Sequence, residues 1–133
     1  MRPTRLKIST ILTGFLLAAA ALPQSTKPQP LVIQLNPDSG SRDLLTGAPQ
    51  TAGMRSGFVR LKPGETVGWH TTGAHEETLV ILRGSGAALI EGQPNREFRA
   101  PAVAYIPPAT RHNVQNTGSE VLEYVYVVAP VEK

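Results

Sequence analysis

The chain has no cysteine, so neither disulfide bonds nor thiolate chemistry is open to it. It lacks helical patterning as well: beyond the first two dozen residues, no window of about three turns carries apolar residues at helical spacing. A basic surface is missing too. The 13 lysines and arginines exceed the 10 acidic residues, but Arg2, Arg5 and Lys7 stand at the extreme N-terminus, and the remaining bases only balance the acids. Nucleic acid is therefore not an expected partner. With 133 residues the chain can bury one modest core and not two. Histidine is rare: His70, His75 and His112 are the only three.

What is present begins with the N-terminus. Three bases precede an apolar run, Ile8–Leu22, whose end contains four alanines, Ala18–Ala21. A basic lead, a short apolar stretch and a small-residue end have the form of a secretory signal peptide. The run is shorter than the roughly 20 residues a membrane span needs. Residues 1–21 are accordingly read as a signal. The mature protein is expected to be secreted or periplasmic, without a stable membrane span. A secreted domain lacking disulfides depends on its hydrophobic core, helped by a metal or by oligomerisation.

Residues 22–53 read as a linker with an N-terminal strand. Gln24–Pro30 is polar and proline-rich, Leu31–Leu35 (LVIQL) is a strand candidate, and Ser41–Gly53 reads as loop. From residue 54 to 130 one rhythm holds: short β-branched or aromatic runs alternate with glycine, proline or asparagine turns. The strands expected there are Arg55–Lys62, Glu65–His70, Thr78–Arg83, Ala87–Glu91, Arg96–Arg99, Val103–Ile106, Arg111–Gln115 and Val121–Ala129. Regularly spaced short strands with turn signals predict an all-β fold, an antiparallel sandwich or barrel.

Two of the three histidines sit close together in GWHTTGAHEETLVILRGSG (Gly68–Gly86), with Glu76 and Glu77 directly after His75. On a strand, Glu77, Leu79 and Ile81 share a face, and His75 joins it if the strand begins there. Glu76 points the other way. His70 ends the preceding strand candidate, and His112 opens a much later one. Any one of these alone reads as a polar surface residue. Together, imidazoles and one carboxylate form a donor set suited to Fe, Mn, Co, Ni, Cu or Zn, and a barrel mouth is a common place for such a site.

At these residues the chain resembles the cupins, small single-domain β-barrels marked by two motifs. Gly64, five residues, His70, one residue, Thr72, four residues, Glu77, six residues and Gly84 follow the spacing of the first motif. Pro107, Ala109, His112 and Asn116 follow that of the second. The likeness covers about residues 55–130 and implies a jelly-roll barrel of six to eight antiparallel strands. In that family the metal is typically held by two histidines and the glutamate of the first motif and by the histidine of the second. Position by position, His70, Glu77 and His112 match. Thr72 stands where the second histidine belongs, and His75, two residues before Glu77, is the candidate to supply the missing imidazole. Pro101 and Ala109 replace two glycines of the second motif without removing a ligand. The implied cofactor is one divalent transition metal (Fe, Mn, Ni, Cu or Zn), and the metal ligands expected are His70, His75, Glu77 and His112. Cupins commonly pair by strand exchange, which makes a homodimer an expectation, with Leu31–Leu35 as the exchanged strand.

Around that site, Trp69 is expected in the core. Tyr124 and Tyr126 alternate on the last strand, as cross-strand packing or as phenols in the pocket. With Glu76 they are the acid–base candidates. Arg60, Arg83 and Arg111 could meet an anionic substrate, and Asn116 is expected to brace the turn after His112. Two functions fit. One is a small metalloenzyme of dioxygenase, decarboxylase or isomerase type acting on a small oxygenated molecule. The other is a non-catalytic barrel binding a sugar or carboxylate.

Overall fold

The computed structural model describes residues 27–131. The expected signal peptide lies outside them. Eight strands follow a single 3-10 turn at Pro37–Ser39: β1 (Arg42–Thr46), β2 (Arg55–Leu61), β3 (His75–Arg83), β4 (Ser85–Ile90), β5 (Arg96–Arg99), β6 (Ala102–Ile106), β7 (His112–Gln115) and β8 (Leu122–Pro130). They form a five-stranded sheet of order β1-β2-β8-β3-β6 and a three-stranded sheet of order β5-β4-β7. Every strand pair is antiparallel. The all-β expectation holds. No helix of the described residues is long and apolar enough to cross a membrane.

Pleat alternation makes the core. Along β3, Glu77, Leu79 and Ile81 are buried while Glu76, Thr78 and Val80 are only partly so, because successive side chains leave opposite faces of a strand. Leu61, Leu79, Ile81, Val114, Leu122 and Tyr124 pack as one cluster drawn from β2, β3, β7 and β8, and Ala88, Ile90 and Ile106 form a smaller one. Both lie between the two sheets. Burying a leucine as completely as Leu79, which is 0% exposed, is worth about 2 kcal/mol.

Three expectations are corrected. Leu31–Leu35 is not a strand, and Val32 within it is 84% exposed. The edge beside β2 is taken instead by Arg42–Thr46, inside the stretch read as loop. That strand opens on two charged residues and carries a register shift between Asp43 and Leu45, which erases a clean alternation. The segment before it is tied to the sheet by Arg42 donating to the Gln34 carbonyl (2.9 Å) and by Ser41, whose hydroxyl oxygen accepts from the Arg60 amide (2.9 Å). The third correction concerns Glu65–His70, which forms only isolated bridges, Thr66 to Gln115 and His70 to His112. Gly68, at φ +93°, breaks the ladder, and its amide donates to the Asn113 side chain (2.9 Å). The segment still runs along β7, bonded at Val67 to Val114 and reciprocally between His70 and His112.

Candidate metal centre and its cavity

His70 and His112 face each other across that reciprocal backbone pair, at 2.9 and 2.8 Å. Directly opposed residues of an antiparallel pair project to the same side. The ring centroids are accordingly 4.3 Å apart, tilted by 57°. Glu77 reaches the same point from β3, in the row Glu77–Val128 and Glu77–Ile106. One ligand atom from each of His70, Glu77 and His112 lies within 4.8 Å of the others.

Each imidazole is oriented by a backbone carbonyl. The Nδ1 of His70 meets the Gly68 oxygen at 2.9 Å and the Nδ1 of His112 meets the Thr110 oxygen at 3.0 Å. A carbonyl can only accept, so both Nδ1 atoms carry a proton, and each Nε2 is left to hold a second proton or to meet a cation. The Nε2 of His112 lies 3.1 Å from Oε2 of Glu77. Both atoms are buried, and neither makes a properly aligned hydrogen bond. The two atoms face each other on residues that are 0% and 4% exposed. Buried polar atoms in that state call for a proton or a cation between them. Burial pulls the His112 pKa down, but the Glu77 carboxylate and the Thr110 carbonyl outweigh it and hold the group above its ordinary value. The carbonyl-oriented imidazoles are the arrangement by which metal-binding histidines are usually fixed. His70, Glu77 and His112 thus fit a divalent metal.

His75 stands outside this group. It shares the face of Glu77, as alternation required, but pairs with Pro130 one row nearer the end of the barrel. Two residues along a strand is a shift of about 7 Å. Its Nδ1 turns to the Thr72 carbonyl (3.2 Å), while the Thr72 hydroxyl donates to the His75 carbonyl (2.8 Å). The two residues close a turn on each other.

His70 and Glu77 open onto a cavity of about 520 Å3 between the sheets, within the size range of small-molecule sites. Val59, Val67, Val114 and Val128 make apolar walls, and Asp43, Thr46 and Arg55 stand among its polar residues. Tyr124 and Tyr126 line it together, so both readings of these tyrosines hold, since Tyr124 also packs in the core. Burial, with the charge of Glu77, pushes the Tyr124 phenol far above the ordinary tyrosine value. It therefore remains an O–H donor at neutral pH. Tyr126 donates to Oδ1 of Asp43 (3.0 Å), and burial and this bond raise its pKa as well. Glu76 lies elsewhere, accepting from Tyr105 on the outer face (3.1 Å).

The remaining candidates sort themselves by partner. Arg60, Arg83 and Arg111 pair with Glu123, Glu120 and Glu91, and none lines the cavity. Arg55 does, and nothing in its local sequence distinguished it from the other arginines. Trp69, expected in the core, is 45% exposed with the Arg111 guanidinium over its ring. His70 faces the cavity, so alternation turns its neighbour Trp69 outward. Asn116 braces its turn as expected: its amide donates to the Leu61 and Glu120 carbonyls and its oxygen accepts from Gly118.

Two antiparallel sheets that enclose a cavity, with Glu77 and His112 buried beside the exposed His70, define a class of protein, the double-sheeted β-barrels. Within that class, residues 57–128 match the cupin domain model, and the chain belongs to the cupin family. Among curated proteins it is similar to the tetracenomycin polyketide synthase protein TcmJ of Streptomyces glaucescens, 30% identical over 94 residues that span 68% of this chain and 61% of that one. Solved structures with the same fold include a Bacillus halodurans protein (TM-score 0.66, 22% identity, 80% of this chain and 85% of that one). Another is an RmlC-like cupin family protein with a double-stranded β-helix fold from Methanocaldococcus jannaschii (TM-score 0.62, 22% identity, 76% and 91%).

Proposed function

We propose that this chain is a metal-binding cupin that holds one divalent transition metal on His70, Glu77 and His112 and receives a small oxygenated molecule in the adjoining cavity. The observation that carries the reading is the convergence of two buried polar atoms without an aligned hydrogen bond, on Glu77 and His112, beside the His70 ring. Two imidazoles and one carboxylate with positions left open are the donor set of non-haem Fe(II) oxygenases, and they also accept Mn, Ni, Cu or Zn. When bound, the metal supplies Lewis acidity or oxygen chemistry. The chain's own residues do the rest. The valines exclude water from the ligand's body, Tyr124 offers a protonated phenol, and the Gly68 and Thr110 carbonyls fix the imidazoles. This supports a small metalloenzyme of dioxygenase, decarboxylase or isomerase type. The similarity to a polyketide synthase protein agrees with an oxygenated, carbon-rich substrate. Export of the mature protein beyond the cytoplasm is part of the same proposal, resting on the composition of residues 1–21.

Thr72 favours a second reading, because a site with one imidazole fewer than the family's usual set holds its metal less firmly. On that reading the barrel captures its ligand without turning it over. Oxygen uptake and carbon dioxide release by the Fe(II)- and Mn(II)-loaded protein, with a panel of hydroxy and oxo acids, separate the two. Turnover lost in Glu77→Gln establishes the enzyme. Saturable binding without turnover establishes the carrier.

A further inference from the structure

We infer that the cavity selects monocarboxylic acids, with Arg55 as the specificity-determining residue. The acid's carboxylate sits on the Arg55 guanidinium, and its apolar body carries a hydroxyl or oxo group toward His70, Glu77 and His112. This deepens the reading above and depends on it only for the far end of the ligand.

The strand register sets the geometry. Arg55 pairs with Val128, and Val128 pairs with Glu77, so the three lie in one cross-strand row on the inner face. Two strand spacings separate the Cα atoms of Arg55 and Glu77 by about 10 Å. The space between is the cavity, walled by Val59, Val114 and Val128. A ligand there has an apolar middle and two polar ends.

The availability of each polar group then decides the sign of the outer end. Arg60, Arg83 and Arg111 are each held by a glutamate. Among the described residues Arg55 makes neither an ion pair nor a side-chain hydrogen bond, although it lines the cavity. Thr46, opposite Arg55 across β1, is closed by Gln50, whose side-chain oxygen takes both its amide (2.8 Å) and its hydroxyl (3.0 Å). Asp43 is engaged by the Tyr126 hydroxyl at 3.0 Å. That contact is built into the sheet: Gly57 lies between them, and a Cβ there would clash with the hydroxyl edge of the Tyr126 ring. What the open end presents to a ligand is therefore a planar guanidinium fork, which matches a carboxylate in a bidentate way. A second negative charge on the ligand would meet Asp43 and Glu77, so one carboxylate is favoured over two.

Matched acid and amide pairs test the assignment: 4-hydroxybenzoate with 4-hydroxybenzamide, 3-(4-hydroxyphenyl)propionate with its amide, and pyruvate with pyruvamide. Each is titrated calorimetrically into wild type, Arg55→Gln and Arg55→Lys, with and without stoichiometric Zn2+. At least one acid is expected to bind about tenfold or more tighter than its amide. Arg55→Gln should erase that preference, and Arg55→Lys should keep part of it. Zinc stoichiometry and thermal midpoint should not change in either variant, because Arg55 is exposed. No acid preference in any pair, or a preference that survives Arg55→Gln, overturns the assignment. An Arg55-dependent preference in a protein that takes up no zinc upholds it and defeats the metal reading instead. Zinc uptake without acid preference does the reverse.

Discussion

The two ends of the cavity are built on different principles. At the closed end, His112 and Glu77 are buried and the imidazoles are set by backbone carbonyls of the turns that precede them. At the open end, Asp43, Thr46 and Arg55 are not buried, and the hydrogen bonds there run to side chains, Tyr126 to Asp43 and Thr46 to Gln50. Desolvation strengthens the interaction of His112 with Glu77 at the first end, where His70 alone is exposed, and leaves the second screened. The comparison agrees with the proposed metal at the closed end, where a misplaced atom is expensive, and with the proposed recognition at the open end, where a side chain can change without unsettling the barrel.

The largest expected effect is therefore at the closed end. His112→Ala should lower metal affinity by about 100-fold or more, since it removes a ligand. It should also destabilise the metal-free protein by about 3 kcal/mol, because a fully buried side chain is removed and a cavity is left beside Glu77. Metal titration and chemical denaturation measure the two effects. An effect no larger than that of Arg55→Gln would break the comparison.

Next comes the frame. Asn116→Ala removes three hydrogen bonds around a residue that is 1% exposed and should cost about 2–3 kcal/mol. Gly57→Ala should cost about 1–3 kcal/mol by overpacking against Tyr126. It should also loosen the Tyr126–Asp43 bond, seen as a tyrosine pKa moving back toward its ordinary value in an ultraviolet pH titration.

A smaller effect is one of pH. A folded-state pKa above the unfolded one gives stability that is complete below the unfolded value of about 6.5 and lost as pH rises through the folded value. His112 is raised in this way. The thermal midpoint of the metal-free protein should fall as pH rises from 6 to 8, and that of the metal-loaded protein should not. The smallest effect belongs to His75. His75→Ala should change metal affinity less than about twofold, and a loss as large as that of His70→Ala would place it among the ligands after all.

The same contrast governs what could be read from the sequence. Gly64 and Gly84 adopt positive φ, and the turns they make hold His70 and Glu77 at fixed spacing, so motif and geometry coincide there. Ala109 shows how far backbone context carries: it takes the left-handed conformation (φ +54°) without being glycine, and His112 stays in place. What was not legible depended on pairing between distant segments. Strand β1 is short and irregular, with its partner a loop away. Leu31–Leu35 had the right composition but pairs with no strand, and Val32 within it is 84% exposed. Arg55 and the outlying arginines looked alike until the register put one of them inside. His75 shared the face of Glu77, as alternation requires, yet a strand row of about 7 Å separates face-sharing from co-ligation.

The most direct test of the central claim is elemental analysis of the chain lacking residues 1–21 after reconstitution with Fe, Mn, Ni, Cu and Zn, beside His70→Ala, Glu77→Ala and His112→Ala. The account expects about one tightly held ion per chain in the wild type and none in the three variants. No ion in the wild type, or an ion retained when His112 is removed, would contradict it.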